Sequence, residues 1–179
     1  AWFAIFDDLQ MSDEAEPATF QWLLHIPEAV PLAFDASSFA LRYAIGDAHM
    51  LVQHVGNPGD LTYTNLRGAE GMTNPVTGEG VNAMDKWLKG KEKLKRRLPE
   101  PLDAHHVWVS HRSPQRRMRF LSILAPSRDG EAEPVITRLS DTSASVTFRG
   151  RRTSVSFGNE AADIVVDTDG IATGTPDAF

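Results

Sequence analysis

The chain has no cysteine among its 179 residues. That single absence removes disulfides, thiolate zinc sites and cysteine nucleophiles together, while leaving the cellular compartment open. Long apolar runs are missing too. None approaches the roughly 18 residues that a membrane-spanning helix needs, so no membrane span is expected. The N-terminus lacks the basic start, apolar core and small-residue cleavage site of a secretory signal. It reads at once as a strand, so the chain is expected to be part of a longer protein. No glycine-rich phosphate loop precedes a helix, which leaves nucleotide binding without support. No G-x-S-x-G occurs, and the serines show no triad order with His and Asp. Only two tyrosines, Tyr43 and Tyr63, are present.

Basic residues are scarce where the chain begins and concentrated in its middle. Residues 1–85 hold twelve acids against Arg42 and Arg67. Residues 86–119 hold eleven Lys and Arg against Glu92, Glu100 and Asp103. Residues 120–179 return to nine acids against five arginines. An acidic body therefore carries one basic segment, suited either to a polyanion or to pairing with that body.

What is present is mostly β pattern. Residues 2–9 are apolar on both faces, with Trp2, Ala4 and Phe6 on one and Phe3, Ile5 and Leu9 on the other. That predicts a strand covered on both sides. Residues 19–26 alternate, with Phe20, Trp22, Leu24 and Ile26 on one face and Gln21, Leu23 and His25 on the other. In FALRYAIGDAHMLVQHV, residues 39–55, Gly46-Asp47 is a two-residue hairpin signal. It predicts Ile45 opposite Ala48, Tyr43 opposite Met50, Leu41 opposite Val52 and Phe39 opposite His54. Arg42, Ala44, His49 and Gln53 then share a wetter face.

Residues 56–104 read as a long loop or insertion, with a short strand at 61–66 and a short helix at 83–97 weakened by Gly90. Strands resume at 105–111, 117–124, 133–139, 143–149 and 152–157, with a further one at 162–167. Many short strands with turns between them and almost no helix predict an all-β antiparallel sandwich of stacked sheets, with residues 1–179 a single region.

Asp7 and Asp8 are adjacent in a strand, so they face apart and make no paired-carboxylate site. A strand end suits Asp as a turn residue bonding local amides. His25 ends a strand, where histidine is usually hydrogen-bonded structure. His105 and His106 face apart, and His105 stands about 20 Å from His111 along a straight strand. His49 and His54 differ in parity and face apart. No H-x-H or helical H-x-x-x-H exists, so neither a metal nor another cofactor is expected from local sequence. Tyr43 sits on the hairpin's apolar face, and nothing beside Tyr63 lowers its pKa. DTDG at 167–170 lacks the downstream ligands of a calcium loop and reads as a turn.

The segments FDDL (6–9), FQWLLH (20–25) and FLSILAP (120–126), in that order, resemble the C-terminal all-β region of heparinase II/III-like polysaccharide lyases. The resemblance spans roughly residues 1–157. It implies a bacterial, periplasmic or secreted parent in which an α/α toroid precedes stacked β layers. It also implies β-elimination on a uronic-acid polysaccharide, of glycosaminoglycan or alginate-like type. The family's tyrosine and histidines lie in the toroid or in an H-x-H-x-D-like stretch. This chain has no H-x-H, so no catalytic residue is placed here. The expected partners are an acidic polysaccharide and the toroid of the same parent, and not nucleic acid. Isolated, the chain is expected to be inactive.

Within the basic run KGKEKLKRR, Lys93, Lys95, Arg96 and Arg97 either form a solvated insertion or contact the acidic polymer. Trp87 is placed either to stack on a sugar ring or to anchor the insertion. His25 is the remaining candidate sugar contact. The competing class is a non-catalytic carbohydrate-binding or adhesion sandwich module.

Overall fold

A computed structural model of the chain describes residues 2–27, 30–67, 104–158, 164–168 and 171–173. In chain order its strands are β1 (Phe3–Gln10), β2 (Gln21–Pro27), β3 (Leu32–Asp35), β4 (Ala40–Ile45), β5 (Ala48–His54), β6 (Leu61–Arg67), β7 (Ala104–His111), β8 (Arg117–Arg128), β9 (Val135–Ser140), β10 (Ser143–Phe148), β11 (Arg151–Phe157), β12 (Ile164–Thr168) and β13 (Ile171–Thr173). A single 3₁₀ turn, Pro58–Asp60, is the one helical piece among the described residues. The all-β antiparallel sandwich expected from the sequence is the fold observed. The stretch expected to be helical at 83–97 lies outside the described residues.

The chain divides into two compact units. The first comprises residues 1–20, 31–61 and 111–179. It holds two five-stranded sheets, ordered β1-β8-β5-β4-β3 and β13-β12-β11-β10-β9. Alternation explains how they meet. Leu121 and Ile123 of β8, with Val55, pack against Ala144 and Val146 of β10 and Val155 of β11. All six are at most 3% exposed. Trp2, Ala4 and Phe6 extend this core, and Phe6 stacks on Phe157 with ring centroids 4.5 Å apart. Such an aromatic pair adds about 1 kcal/mol beyond its buried area.

β8 is the spine of the first sheet. It pairs β1 from Phe3↔Leu124 to Gln10↔Arg117, and β5 from Ala48↔Arg128 to His54↔Ser122. Pro126 falls beyond the end of the β1 pairing, where β8 has a neighbour on one side only. That is where a strand tolerates a missing N–H.

The hairpins follow their turn residues. Gly46 has φ 62° between β4 and β5, and the register is Ile45↔Ala48, Tyr43↔Met50 and Leu41↔Val52 as expected. Arg149 (φ 51°) and Gly150 (φ 74°) make the two-residue link from β10 to β11, both left-handed as that turn requires. Phe39 does face His54, whose N–H donates to Phe39 O at 3.2 Å and whose ring centroid lies 6.3 Å away, although β4 itself begins at Ala40. Phe39 closes the turn after β3 at φ 52°, a strained value for an aromatic residue. Its burial and its edge-to-face contact with Phe34 offset that strain. Asp35 holds the same turn by accepting from Ser37 N, Ser37 Oγ and Ser38 Oγ. These donors hold its carboxyl at about 2.

Two expectations are corrected. β1 is not covered on both sides, because Phe3, Ile5 and Leu9 are 58%, 40% and 38% exposed. β1 is an edge strand, and only its Trp2–Ala4–Phe6 side meets the second sheet. The face of β4 and β5 expected to be wet is also partly core, since Ala40 and Leu51 are buried with Ala125.

The second unit comprises residues 21–30 and 62–110. It is built on the three-stranded sheet β2-β7-β6. Its buried residues include Ile26, Val107, Val109 and the adjacent histidines His105 and His106. The Thr62 and Ser110 hydroxyls lie 2.8 Å apart, and the Asn65 amide lies 3.1 Å from His105 Nδ1.

Candidate functional site

The register of β1 on β8 sets Asp8 opposite Arg119, with Arg117 two residues along the same face. Neither Asp7 nor Asp8 ends a strand, because β1 continues to Gln10. The turn role expected for Asp8 is replaced by a cross-strand ion cluster. Arg117 donates from Nε and Nη2 to the two Asp8 oxygens at 2.8 and 2.5 Å. Arg119 Nε stands 3.3 Å from Asp8 Oδ2. The bidentate bond from Arg117, helped by the Arg119 charge, holds the Asp8 carboxyl below its usual range against desolvation. The same bond raises Arg117. Two guanidiniums share one carboxylate, so the cluster keeps a net positive charge.

Arg117 and Arg119 open onto a cleft of about 770 Å³ within the first unit. Arg112 adds a third guanidinium to its wall. Arg112 is anchored by its own backbone N–H to Asp60 O at 2.9 Å and by Nε to Gly59 O at 2.7 Å. The acceptor loop is itself shaped by Asn57. Its Oδ1 accepts from Gly59 N, and its Nδ2 donates to Asp60 Oδ2 at 2.8 Å. Ser113, Ser140 and Thr142 line the cleft with hydroxyls. The arrangement suits an oxyanion-bearing, hydroxyl-rich ligand: arginine forks take carboxylate or sulfate, and hydroxyls exchange bonds with sugar.

The reactive-looking pairs elsewhere have structural roles. Ser122 Oγ lies 3.0 Å from His54 Nδ1, but Ser122 is fully buried and His54 is 5% exposed. No substrate reaches a serine sealed in that way. Burial lowers His54 to about 4. His49, on the other face of β5, meets Asp129 at 2.5 Å on the surface. A second groove of about 520 Å³ lies beside this pair, lined also by Arg42, which is bonded to Glu133 at 2.7 Å, and by Tyr43. Burial pushes the Tyr43 and Tyr63 hydroxyls above their ordinary value, away from a base that works near neutral pH.

Of the residues expected to touch substrate, Trp87, Lys93, Lys95, Arg96 and Arg97 lie outside the described residues. His25 is exposed on β2, directly opposite His106 in register, with ring centroids 4.7 Å apart. The histidine expected to be hydrogen-bonded structure is instead a cross-strand partner of a second imidazole. The sequence reading singled out the basic character of Arg112, Arg117 and Arg119 but not their meeting at one cleft. Their spacing in the chain holds no signal for Asp8, which lies 109 residues from Arg117. Among the described residues, no group of three His, Asp or Glu gathers as a metal site. No helix among them is long and apolar enough to cross a membrane. No protein-family model matches the chain, and comparison with curated proteins finds no significant match.

Proposed function

We propose that this chain is the β-sandwich part of a polysaccharide lyase that cleaves uronic-acid polymers by β-elimination, and that it walls the substrate cleft rather than performing the chemistry. β-Elimination needs a base to take the proton beside the carboxylate, a cation to neutralise that carboxylate, and an acid for the leaving oxygen. The cleft offers the cations of Arg112, Arg117 and Arg119 beside His111, Asp60 and Asp141, and no tyrosine is among its described lining residues. The segments that carry the family resemblance fall on β1, β2 and β8, two of which form the Asp8–Arg117 pairing. In this reading the chemistry belongs to the toroid of the same parent chain, in a periplasmic or secreted setting.

The observation that carries the reading is the cleft with Arg112, Arg117 and Arg119 on its wall. The isolated chain, incubated with heparin, alginate, ulvan and chondroitin, is expected to show no rise in unsaturated-uronate absorbance. Robust turnover would overturn the scaffold role. Weak, salt-sensitive polyanion binding is expected, and Arg112→Ala with Arg119→Ala should reduce it about tenfold, or roughly 1.4 kcal/mol.

One feature favours a second reading, a non-catalytic carbohydrate-binding or adhesion module. The arginine-bearing wall is built within one unit of this chain. A module predicts that the isolated chain binds an acidic glycan more tightly than about 100 µM, near −5.5 kcal/mol. The scaffold predicts weaker binding that tightens when the toroid is supplied.

A further inference from the structure

We propose that the groove beside Arg42 and His49 is a second binding site of this chain, for an uncharged, hydroxyl-rich sugar. It measures about 520 Å³, lies wholly within the first unit and shares no lining residue with the arginine-walled cleft. Register builds its floor. Ala33 stands opposite Arg42, Arg42 opposite Leu51, Ala44 opposite His49, and His49 opposite Ser127. These six side chains leave one face of the sheet. Arg42 and His49 are diagonal neighbours there, about 7–8 Å apart. Ala33, Ala44 and Ser127 are short, which leaves room for a sugar ring between the two longer side chains.

The facing wall is the segment after β8, and it is fixed without using the carboxylates of Asp129 and Glu133. Asp129 N donates to Asp47 O at 3.1 Å, and Glu131 N donates to Arg128 O at 3.0 Å. The Glu131 carboxylate accepts from Arg128 N and from Arg149. Asp129 Oδ1 then meets His49 Nε2 at 2.5 Å, and Glu133 Oε1 accepts from Arg42 Nε at 2.7 Å. Each pair braces the groove and still has bonding capacity to spare. Asp129 Oδ2, Glu133 Oε2, His49 Nδ1 and both terminal nitrogens of Arg42 make no hydrogen bond to another described residue. Acceptors therefore stand beside donors. A sugar hydroxyl both donates and accepts, so such a mixed wall satisfies it fully.

Charge selects the class of sugar. Arg42 is matched by Glu133, Arg128 by Asp47 and Glu131 by Arg149. An acidic sugar would meet the Asp129 and Glu133 carboxylates without a spare cation to offset them, and like charges brought together cost affinity. In the other cleft two guanidiniums share the Asp8 carboxylate, and there an anion is welcome.

Nothing in this site depends on the lyase reading, and its probes are neutral glycans. The untagged chain is titrated calorimetrically with cellotetraose, mannotetraose, xylotetraose and galactotetraose. At least one is expected to bind with a Kd below about 1 mM. Arg42→Ala and Glu133→Ala, at side chains 42% and 48% exposed, should each keep the circular dichroism spectrum and Tm of the wild type. Each should weaken that binding about tenfold or more. Arg116→Ala should leave it unchanged, since that guanidinium bonds the Ser12 and Asp13 carbonyls and lines no part of the groove. A chondroitin tetrasaccharide should not displace the bound sugar. The site is overturned by no binding of any of the four at about 10 mM, by binding retained in both groove variants, or by an equal loss in Arg116→Ala. Displacement by the chondroitin fragment overturns its assignment to an uncharged sugar.

Discussion

The two units solve burial differently. In the first, two five-stranded sheets supply a continuous aliphatic and aromatic core, and the polar residues inside it are small or neutral. Among the described residues, Ser122, Ser143, Ser145 and His54 are its buried polar side chains. In the second, a three-stranded sheet buries Ile26, Val107 and Val109 alongside two adjacent histidines. A large core can hold a polar group as a neutral guest. A thin sheet buries imidazole on both of its faces, His105 on one and His106 on the other. Histidine thus enters the first core singly, beside a serine, and the second unit as an adjacent buried pair.

The comparison breaks most readily at the first core. Ile123 is fully buried, and Ile123→Ala is expected to remove about 2–5 kcal/mol in urea or thermal unfolding. A loss below about 1 kcal/mol would mean that the two sheets do not share the core described.

The next effect is on pH. His54 is held neutral, with its pKa lowered from 6.5 to about 4 by burial. A folded-state pKa below the unfolded one contributes stability that is complete above pH 6.5 and declines as pH falls toward 4. The decline is on the order of 3 kcal/mol across that window. His54→Gln should flatten that part of the stability–pH curve even if it lowers stability at neutral pH. An unchanged slope would show that His54 is not the group responsible.

A smaller effect belongs to the arginine cluster. Asp8→Ala leaves Arg117 and Arg119 facing each other and is expected to destabilise by about 1 kcal/mol at neutral pH. Because the Asp8 carboxyl is lowered from 3.8, its contribution is present above that value and lost as pH falls through the folded pKa. In Asp8→Ala the stability difference from wild type should therefore shrink below about pH 3.8. Polyanion binding should strengthen in this variant, since the shared carboxylate is gone. Weaker binding would argue that Asp8 orients the guanidiniums for the ligand.

The smallest effects sharpen the contrast from outside. Phe3 and Leu23 are 58% and 53% exposed, one in each unit. Phe3→Ala and Leu23→Ala should each change stability by less than about 0.5 kcal/mol. A larger loss at Phe3 would show that the open face of β1 is covered in solution.

Much of the fold was legible. Gly46-Asp47 marks its hairpin because a left-handed turn is decided by the residues that occupy it. Alternation then carries the register outward, so Tyr43 meets Met50 without reference to the rest of the chain. β3 was not legible, since the four residues LAFD are too few to show a period. The open side of β1 was misread because an apolar run looks the same whether one face or two are covered. The site was legible only as chemistry. The basic cluster from Arg112 to Arg119 announced a taste for anions, but not which carboxylate would share it. His105 and His106 face apart, as their adjacency in a strand requires, and nothing near them in the chain signals that His25 stands opposite His106.

By itself the sequence determined an all-β chain with no thiol chemistry, its hairpins and their registers, and a basic middle set in an acidic body. These follow from composition, from turn residues and from a two-residue period, each of which acts over a few positions. Only the tertiary structure decided that Asp8 sits between Arg117 and Arg119, that Ser122 seals His54, and that His25 stands across from His106. Those meetings join segments 68 to 109 residues apart or lie across paired strands, and strand order is set by how the whole chain buries its apolar faces.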